Sequence, residues 1–134
     1  MAEIETWLDD ASRNLSIPIR KLSTEEAAAV YREAHARYVT GEPRAWWMAL
    51  SQPYAHYDSS ETSLNEVLPA RVGRVFLIPE SDDGPVAYEI DVGHLEAILG
   101  DCPFFEYYIV GPDLRWLVAE SDHNEFFVCQ DSNG

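Results

Sequence analysis

The N-terminal segment carries apolar residues at intervals of three and four. Ile4, Trp7, Leu8, Ala11 and Leu15 follow this spacing, which places their side chains on one face of a helix. The sequence therefore predicts an amphipathic helix over residues 4–15, and Pro18 marks the break after it.

A second helix is predicted between Ser23 and Gly41. Ser23 and Glu26 have the spacing of a capping box, in which each side chain bonds the backbone N–H of the other residue. Gly41 supplies a stop. The apolar positions between these signals lie along one stripe: Ala27, Val30, Tyr31, Ala34, Tyr38 and Val39.

The next segment, as far as Pro69, carries weaker signals. Pro43 suits the first turn of a short helix that contains Trp46 and Trp47, because its missing N–H would be unpaired there. Residues 54–61 show no apolar period and predict a loop. Residues 64–68 predict one or two turns of helix before Pro69.

After Arg71 the apolar spacing changes to that of strands. Residues 72–78 are rich in β-branched side chains, residues 81–84 have turn composition, and residues 86–90 again suit a strand. This pattern predicts a β-hairpin.

A helix and three strands are predicted to complete the chain. Asp91 suits the N-cap of a helix through Leu99, with Gly100 as the left-handed residue that ends it. The three strands, which turn residues separate, are predicted over residues 104–110, 114–120 and 126–130.

These elements predict an α+β fold in one domain, residues 1–134. The N-terminal helices are expected to pack on one face of a C-terminal antiparallel sheet of four to six strands, beginning near Val72. Apolar residues make up 46% of the chain, which is enough to build a core without a metal or disulfide.

Charge is the most unusual property of the sequence. The formal net charge is −15. Residues 1–72 carry seven basic and eleven acidic side chains, whereas residues 73–134 carry two basic and thirteen acidic ones. This balance disfavours direct binding to nucleic acid or to an anionic membrane surface, because both are negatively charged.

The sequence also indicates a compartment. Residues 1–10 lack the basic start and apolar run of a secretory signal, and no apolar run is long enough for a membrane span. Cys102 and Cys129 are then expected to be reduced thiols, buried as small apolar residues, in a cytoplasmic protein.

Motifs for catalysis are absent from the sequence. It has no Gly-x-Ser-x-Gly elbow, no Gly-rich phosphate loop and no cysteine protease pattern, so it predicts neither an enzyme nor a cofactor. A metal site at Glu120, Asp122, His123 and Glu125 is one alternative, because imidazole and carboxylate are metal ligands. Zinc there would need a second histidine, His94 or His35, to arrive from a distance.

The same segment is a candidate surface for a protein partner. Trp116 and Tyr108 are aromatic residues of the kind that anchor interfaces, and the acidic residues around them suit a cationic partner. We therefore expect a partner-binding site at Glu120, Asp122, Glu125, Trp116 and Tyr108. Strand alternation places aromatic rings on both faces of residues 104–110, so one face is expected to be partly open.

The C-terminal strands also carry a resemblance. Residues 105–110 read Phe-Glu-Tyr-Tyr-Ile-Val, residues 113–120 contain Trp116-Leu117 and end in Glu120, and His123 follows. Together with Trp46-Trp47, these residues resemble a family of small uncharacterised bacterial proteins with Glu-Tyr-Tyr, Trp-Leu and Glu-x-x-His patterns, which implies no activity. More loosely, helices before an acidic sheet are similar to the SUKH superfamily of toxin-immunity proteins.

These observations favour a non-enzymatic binding function. The leading hypothesis is an immunity or antitoxin-like inhibitor whose acidic half covers a basic bacterial toxin, for instance one of nuclease type. The alternatives are a DNA mimic that inhibits a defence or regulatory protein and a small metal-dependent enzyme. Solubility alone is a further explanation of the acidic composition.

Overall fold

The computed structural model of the chain describes residues 3–80 and 84–130. Most of the turn predicted over residues 81–84 lies outside the described residues. Within these ranges, no helix has both the length and the apolar character that are needed to cross a lipid bilayer.

The described residues form an α+β structure, which confirms the predicted class. The helices are α1 (Glu3–Leu15), α2 (Thr24–Tyr38), α3 (Leu64–Val67) and α4 (Leu95–Gly100), with 3-10 turns at Trp46–Met48 and Val92–His94. The strands are β1 (Arg20–Lys21), β2 (Tyr54–Asp58), β3 (Arg74–Pro79), β4 (Tyr88–Asp91), β5 (Tyr107–Val110), β6 (Trp116–Ser121) and β7 (Glu125–Gln130).

All seven strands join one antiparallel sheet in the order β1-β4-β3-β5-β6-β7-β2. The five strands from Arg74 onward agree with the predicted C-terminal sheet. The two strands that precede Arg74 in the chain occupy the two edges. One of them, β2, corrects the loop predicted over residues 54–61.

The local signals at the helix ends explain several of these elements. The Ser23 side chain accepts from the Glu26 N–H and the Glu26 carboxylate accepts from the Ser23 N–H, so the predicted capping box is confirmed. The Asp91 side chain accepts from the Gly93 N–H, as an N-cap does. Gly100 was predicted to be left-handed and is not, because the helix ends through Asp101 at φ −90° instead.

The helices cover both faces of the sheet, which corrects the prediction that they pack on one face. The first face carries Tyr107 and Ile109 and is covered by α1, α3 and α4. The second face carries Tyr108 and Val110 and is covered by α2 and the Trp46–Met48 turn. The physical reason is that the central strands carry apolar side chains on both sides, and each side requires its own cover.

Candidate functional site: the acidic end of the sheet

The strand register brings six carboxylates to one end of the sheet. Glu120 at the end of β6 pairs with Tyr107 at the start of β5, and Ser121 pairs with Glu125 at the start of β7. The ends of β3 and β2 reach the same level, since Pro79 pairs with Tyr107 and Asp58 pairs with Glu125. We call this group of residues the acidic end: Asp58, Glu80, Glu106, Glu120, Asp122 and Glu125.

Glu106 is held by three donors on the second face. Its carboxylate accepts from Trp47 Nε1 at 2.8 Å, from Arg44 Nη1 at 3.1 Å and from the Asp122 N–H at 3.4 Å. Burial raises the pKa of Glu106, but the hydrogen bonds from Arg44 and Trp47 outweigh burial and hold the pKa below its ordinary value. Glu106 therefore fixes both the turn at Asp122 and the Trp46–Met48 turn.

Tyr108 connects the Trp46–Met48 turn to Glu80. The Trp46 N–H donates to the Tyr108 hydroxyl oxygen at 2.9 Å, and the hydroxyl donates to the Glu80 carboxylate. The Trp46 ring stacks on Tyr108 with centroids 4.4 Å apart. Burial, followed by the Glu80 contact, raises the pKa of Tyr108, so the hydroxyl remains protonated.

Tyr108 is therefore a core residue and does not present its ring to a partner. Its exposed fraction is 1%. Trp116, the other aromatic anchor predicted from the sequence, is 8% exposed and belongs to the core of the first face. Both predictions are corrected, because helices cover both faces of the sheet, one of which was expected to be partly open.

The three predicted acidic residues lie at one end but point in different directions. Glu120 faces the first side of the sheet, where its carboxylate accepts from the Tyr107 hydroxyl at 2.6 Å. Glu125 lies 2.7 Å from His56 Nε2, and Asp122 lies 3.5 Å from His123 Nε2. The three residues thus lie at the same end of the sheet, while strand alternation separates the side chains that the sequence grouped.

A depression of about 310 Å³ opens at the edge of the acidic end. Asp58, Glu125, His56 and His123 contribute to its lining, together with Ser60 and Asn124. The Ser60 hydroxyl and N–H donate to the Asp58 carboxylate at 2.6 and 2.8 Å and lower its pKa. This arrangement offers carboxylate oxygens to an ammonium or guanidinium group.

Aromatic rings pack against one another beside this depression. The Phe127 ring contacts Tyr54 and His56 at centroid distances of 5.3 and 5.2 Å, and stacks on Trp47 at 5.9 Å. Trp47 also meets His123 edge-on at 5.8 Å. Ring contacts with Phe127 and Trp47 therefore position the two histidines, whose side chains remain exposed.

The proposed metal ligands are not brought together. Within residues 3–80 and 84–130, no group of three His, Cys, Asp or Glu side chains could hold a metal ion. His35 lies on α2 and packs against Tyr31 and Trp46, and His94 lies in the turn before α4, so neither joins His123.

Both cysteines are free thiols, as expected from the sequence. Cys129 is fully buried in the core of the second face, and burial raises its pKa to about 11. Cys102 is half-buried against the core of the first face, and burial raises its pKa as well. Neither thiol is activated as a nucleophile, because activation requires a lowered pKa.

Sequence reasoning missed the contribution of β2, which brings Asp58 and His56 to the acidic end. The sequence does contain one indication of this strand, because Tyr54 and Tyr57 follow Pro53 and tyrosine favours strands. Glu80 and Glu106, which lie at strand ends beside tyrosines, were also missed.

Comparison with family models, curated proteins and solved structures gave no match for the chain.

Proposed function

We propose that the chain is a non-enzymatic acidic binding protein, an immunity or antitoxin-like inhibitor that covers a basic protein partner with the acidic end of its sheet. The observation that carries this proposal is the convergence of six carboxylates from five segments on one end. At the opposite end of the sheet, Arg74 pairs with Asp91 in the register of β3 and β4, and Arg115 lies 3.4 Å from Asp113, so basic side chains balance acidic ones there. The two ends therefore differ in charge.

Such an asymmetry favours binding to a cationic surface. Complementary charge increases the association rate and disfavours partners of the wrong sign. Asp122 is 52% exposed and Glu125 is 32% exposed, so both side chains can be reached from solvent. Free thiols at Cys102 and Cys129 are compatible with the cytoplasmic location predicted from the sequence.

The test begins with the immobilised full chain and a bacterial lysate. We expect it to capture a protein of high isoelectric point, whose association rate constant is then measured at about 50 and about 300 mM NaCl. That rate constant should fall by about tenfold at the higher salt concentration, because salt screens the attraction between the two charged surfaces.

A matched pair of variants locates the surface. Asp122→Asn with Glu125→Gln should lower the association rate constant by about three- to tenfold, since it removes two charges at the acidic end. Asp9→Asn with Glu25→Gln removes two charges from exposed positions on α1 and α2 and should change it by less than about twofold.

Three results would contradict the proposal: no basic protein captured, an association rate that ignores salt, or equal effects of the two double variants. Competition by duplex DNA for the captured partner would instead favour the DNA-mimic alternative, in which the carboxylates stand in for phosphates.

A further inference from the structure

The two edges of the sheet differ in how they are protected. At one edge, β1 has two residues, Arg20 and Lys21, both basic. Arg20 pairs with Glu26 and Glu89, and Lys21 pairs with Glu5 on α1. Short length and charged side chains are the features that prevent an edge strand from pairing with another chain.

The opposite edge, β2, is longer and carries one acidic side chain, Asp58, at its end. Its five residues, Tyr54 to Asp58, are all exposed and include neither lysine nor proline. Tyr54 is 50% exposed and Tyr57 is 40% exposed, so the strand presents aromatic rings at its surface. In the sheet order, β2 has β7 on one side and no described strand on the other.

The register shows which backbone groups of β2 face outward. Ser59 and Asn124 continue the β2–β7 register, and the Ser59 N–H donates to the Asn124 carbonyl at 2.9 Å. In an antiparallel pair, hydrogen-bonded residues alternate, so Ala55 and Tyr57 also direct their N–H and C=O groups toward β7. The backbone N–H and C=O of His56 therefore point away from the sheet.

We propose that β2 is a docking edge that takes an extended segment of a basic partner as an eighth strand. This inference rests on the proposed function and specifies how the partner binds. A strand added beside β2 would bond the outward groups of His56, and its side chains on the second face would lie next to Asp58 and near Glu125. Lysine or arginine at those positions complements the two carboxylates.

Charge also argues against a second copy as the occupant. Each chain carries a formal charge of −15. Antiparallel pairing of two β2 strands about His56 would bring the two acidic ends close together, because Asp58 and Glu125 lie beside this edge. A basic segment lowers the electrostatic energy of the edge, whereas a second copy raises it.

The test uses the full chain and a blocked hexapeptide of alternating lysine and valine, with the glutamate-valine peptide as its control. Amide hydrogen exchange is followed by NMR. The lysine peptide should slow exchange of the His56 amide by about tenfold or more, while Ala55 and Tyr57, already bonded to β7, should change little. The glutamate peptide should leave all three amides unchanged.

Two variants separate the backbone from the side chain. His56→Pro removes the outward N–H and should weaken peptide binding by about tenfold, whereas His56→Ala keeps that N–H and should weaken it by less than about threefold. If His56→Pro disturbs β2, two methylated peptides provide the same test on the unmodified protein. One carries a methyl group on each backbone amide nitrogen of valine, and the other carries it on each backbone amide nitrogen of lysine. One of the two methylated forms should lose binding, because alternate peptide amides face β2.

The outcomes distinguish this inference from the proposed function. Lysine peptide that shifts the Asp122 and Glu106 signals without protecting His56 would overturn the docking edge and leave the basic partner in place. Equal binding of the glutamate peptide, or binding of neither peptide, would overturn the basic occupant. Protection of His56 that rises with protein concentration, together with a doubled mass in solution, would replace it with a second copy.

Discussion

Tyr107 and Tyr108 are neighbours in β5, yet their side chains enter different environments. Tyr107 faces the first side of the sheet and donates to Glu120, whereas Tyr108 faces the second side and donates to Glu80. Tyr108 also accepts a hydrogen bond, from the buried N–H of Trp46. The two faces are therefore closed in different ways.

The helices reflect the same difference. On the first face, α1 packs through Leu8 and Ala11, both fully buried. On the second face, α2 packs through Ala27, Ala34 and the fully buried Tyr38, and the adjoining Trp46–Met48 turn is fixed by hydrogen bonds to Tyr108 and Glu106. Apolar packing closes both faces, and on the second face a polar network adds to it.

The largest effect is expected from removing apolar volume on the first face. Leu8→Ala should lower the free energy of unfolding by about 3 kcal/mol, because the side chain is fully buried and its loss leaves a cavity. Leu15→Ala in the same helix is the control. Leu15 is 39% exposed, so its truncation should cost less than about 1 kcal/mol in urea unfolding. Equal losses would show that α1 does not dock through Leu8.

A smaller effect is expected from the two tyrosines. Tyr108→Phe leaves the Trp46 N–H buried without an acceptor, so it should lower the free energy of unfolding by about 2 kcal/mol. Tyr107→Phe removes one hydrogen bond to Glu120, which is partly exposed to water, and should cost about 1 kcal/mol. Urea unfolding of both variants measures the difference.

The sign of that difference is the decisive result. A Tyr107→Phe protein less stable than the Tyr108→Phe protein would contradict the polar closure of the second face. Tyr108→Phe should also loosen the Trp46–Met48 turn, which tryptophan fluorescence can follow.

The two faces also show what the sequence could predict. Local signals sufficed for α1, α2 and the strands from Arg74 onward, because each combines a clear period with caps or turns. The strand β2 was missed because every residue in it is exposed, which removes the alternation that marks a half-buried strand. The second helical layer was missed because the alanines of α2 do not reveal which face of the sheet the helix covers.

The same limits applied to the prediction of the candidate site. Glu120, Asp122 and Glu125 lie close in sequence, and their position at one sheet end followed from the predicted strands. Asp58 and Glu80 reach that end only through long-range pairing of β2 with β7 and of β3 with β5, which no local pattern encodes.

The smallest effect concerns the two cysteines and alkaline pH. Burial raises the pKa of Cys129 from 9.0 to about 11, so the folded state keeps a proton that the unfolded state releases. The contribution of Cys129 is fully present below pH 9 and is lost as pH rises through about 11. Between about pH 8 and 10 this loss amounts to about 1 kcal/mol.

Cys129→Ala should therefore lose less stability than the natural chain over that pH range, by about 1 kcal/mol. Comparing each protein with itself at two pH values cancels the packing cost of the substitution. Cys102→Ala is the control from the first face, and it should follow the natural chain more closely, because Cys102 is only half-buried. Urea unfolding near pH 8 and pH 10 measures both. If Cys129→Ala retained the full loss, the alkaline sensitivity would belong to the buried tyrosines, whose pKa values are also raised by burial.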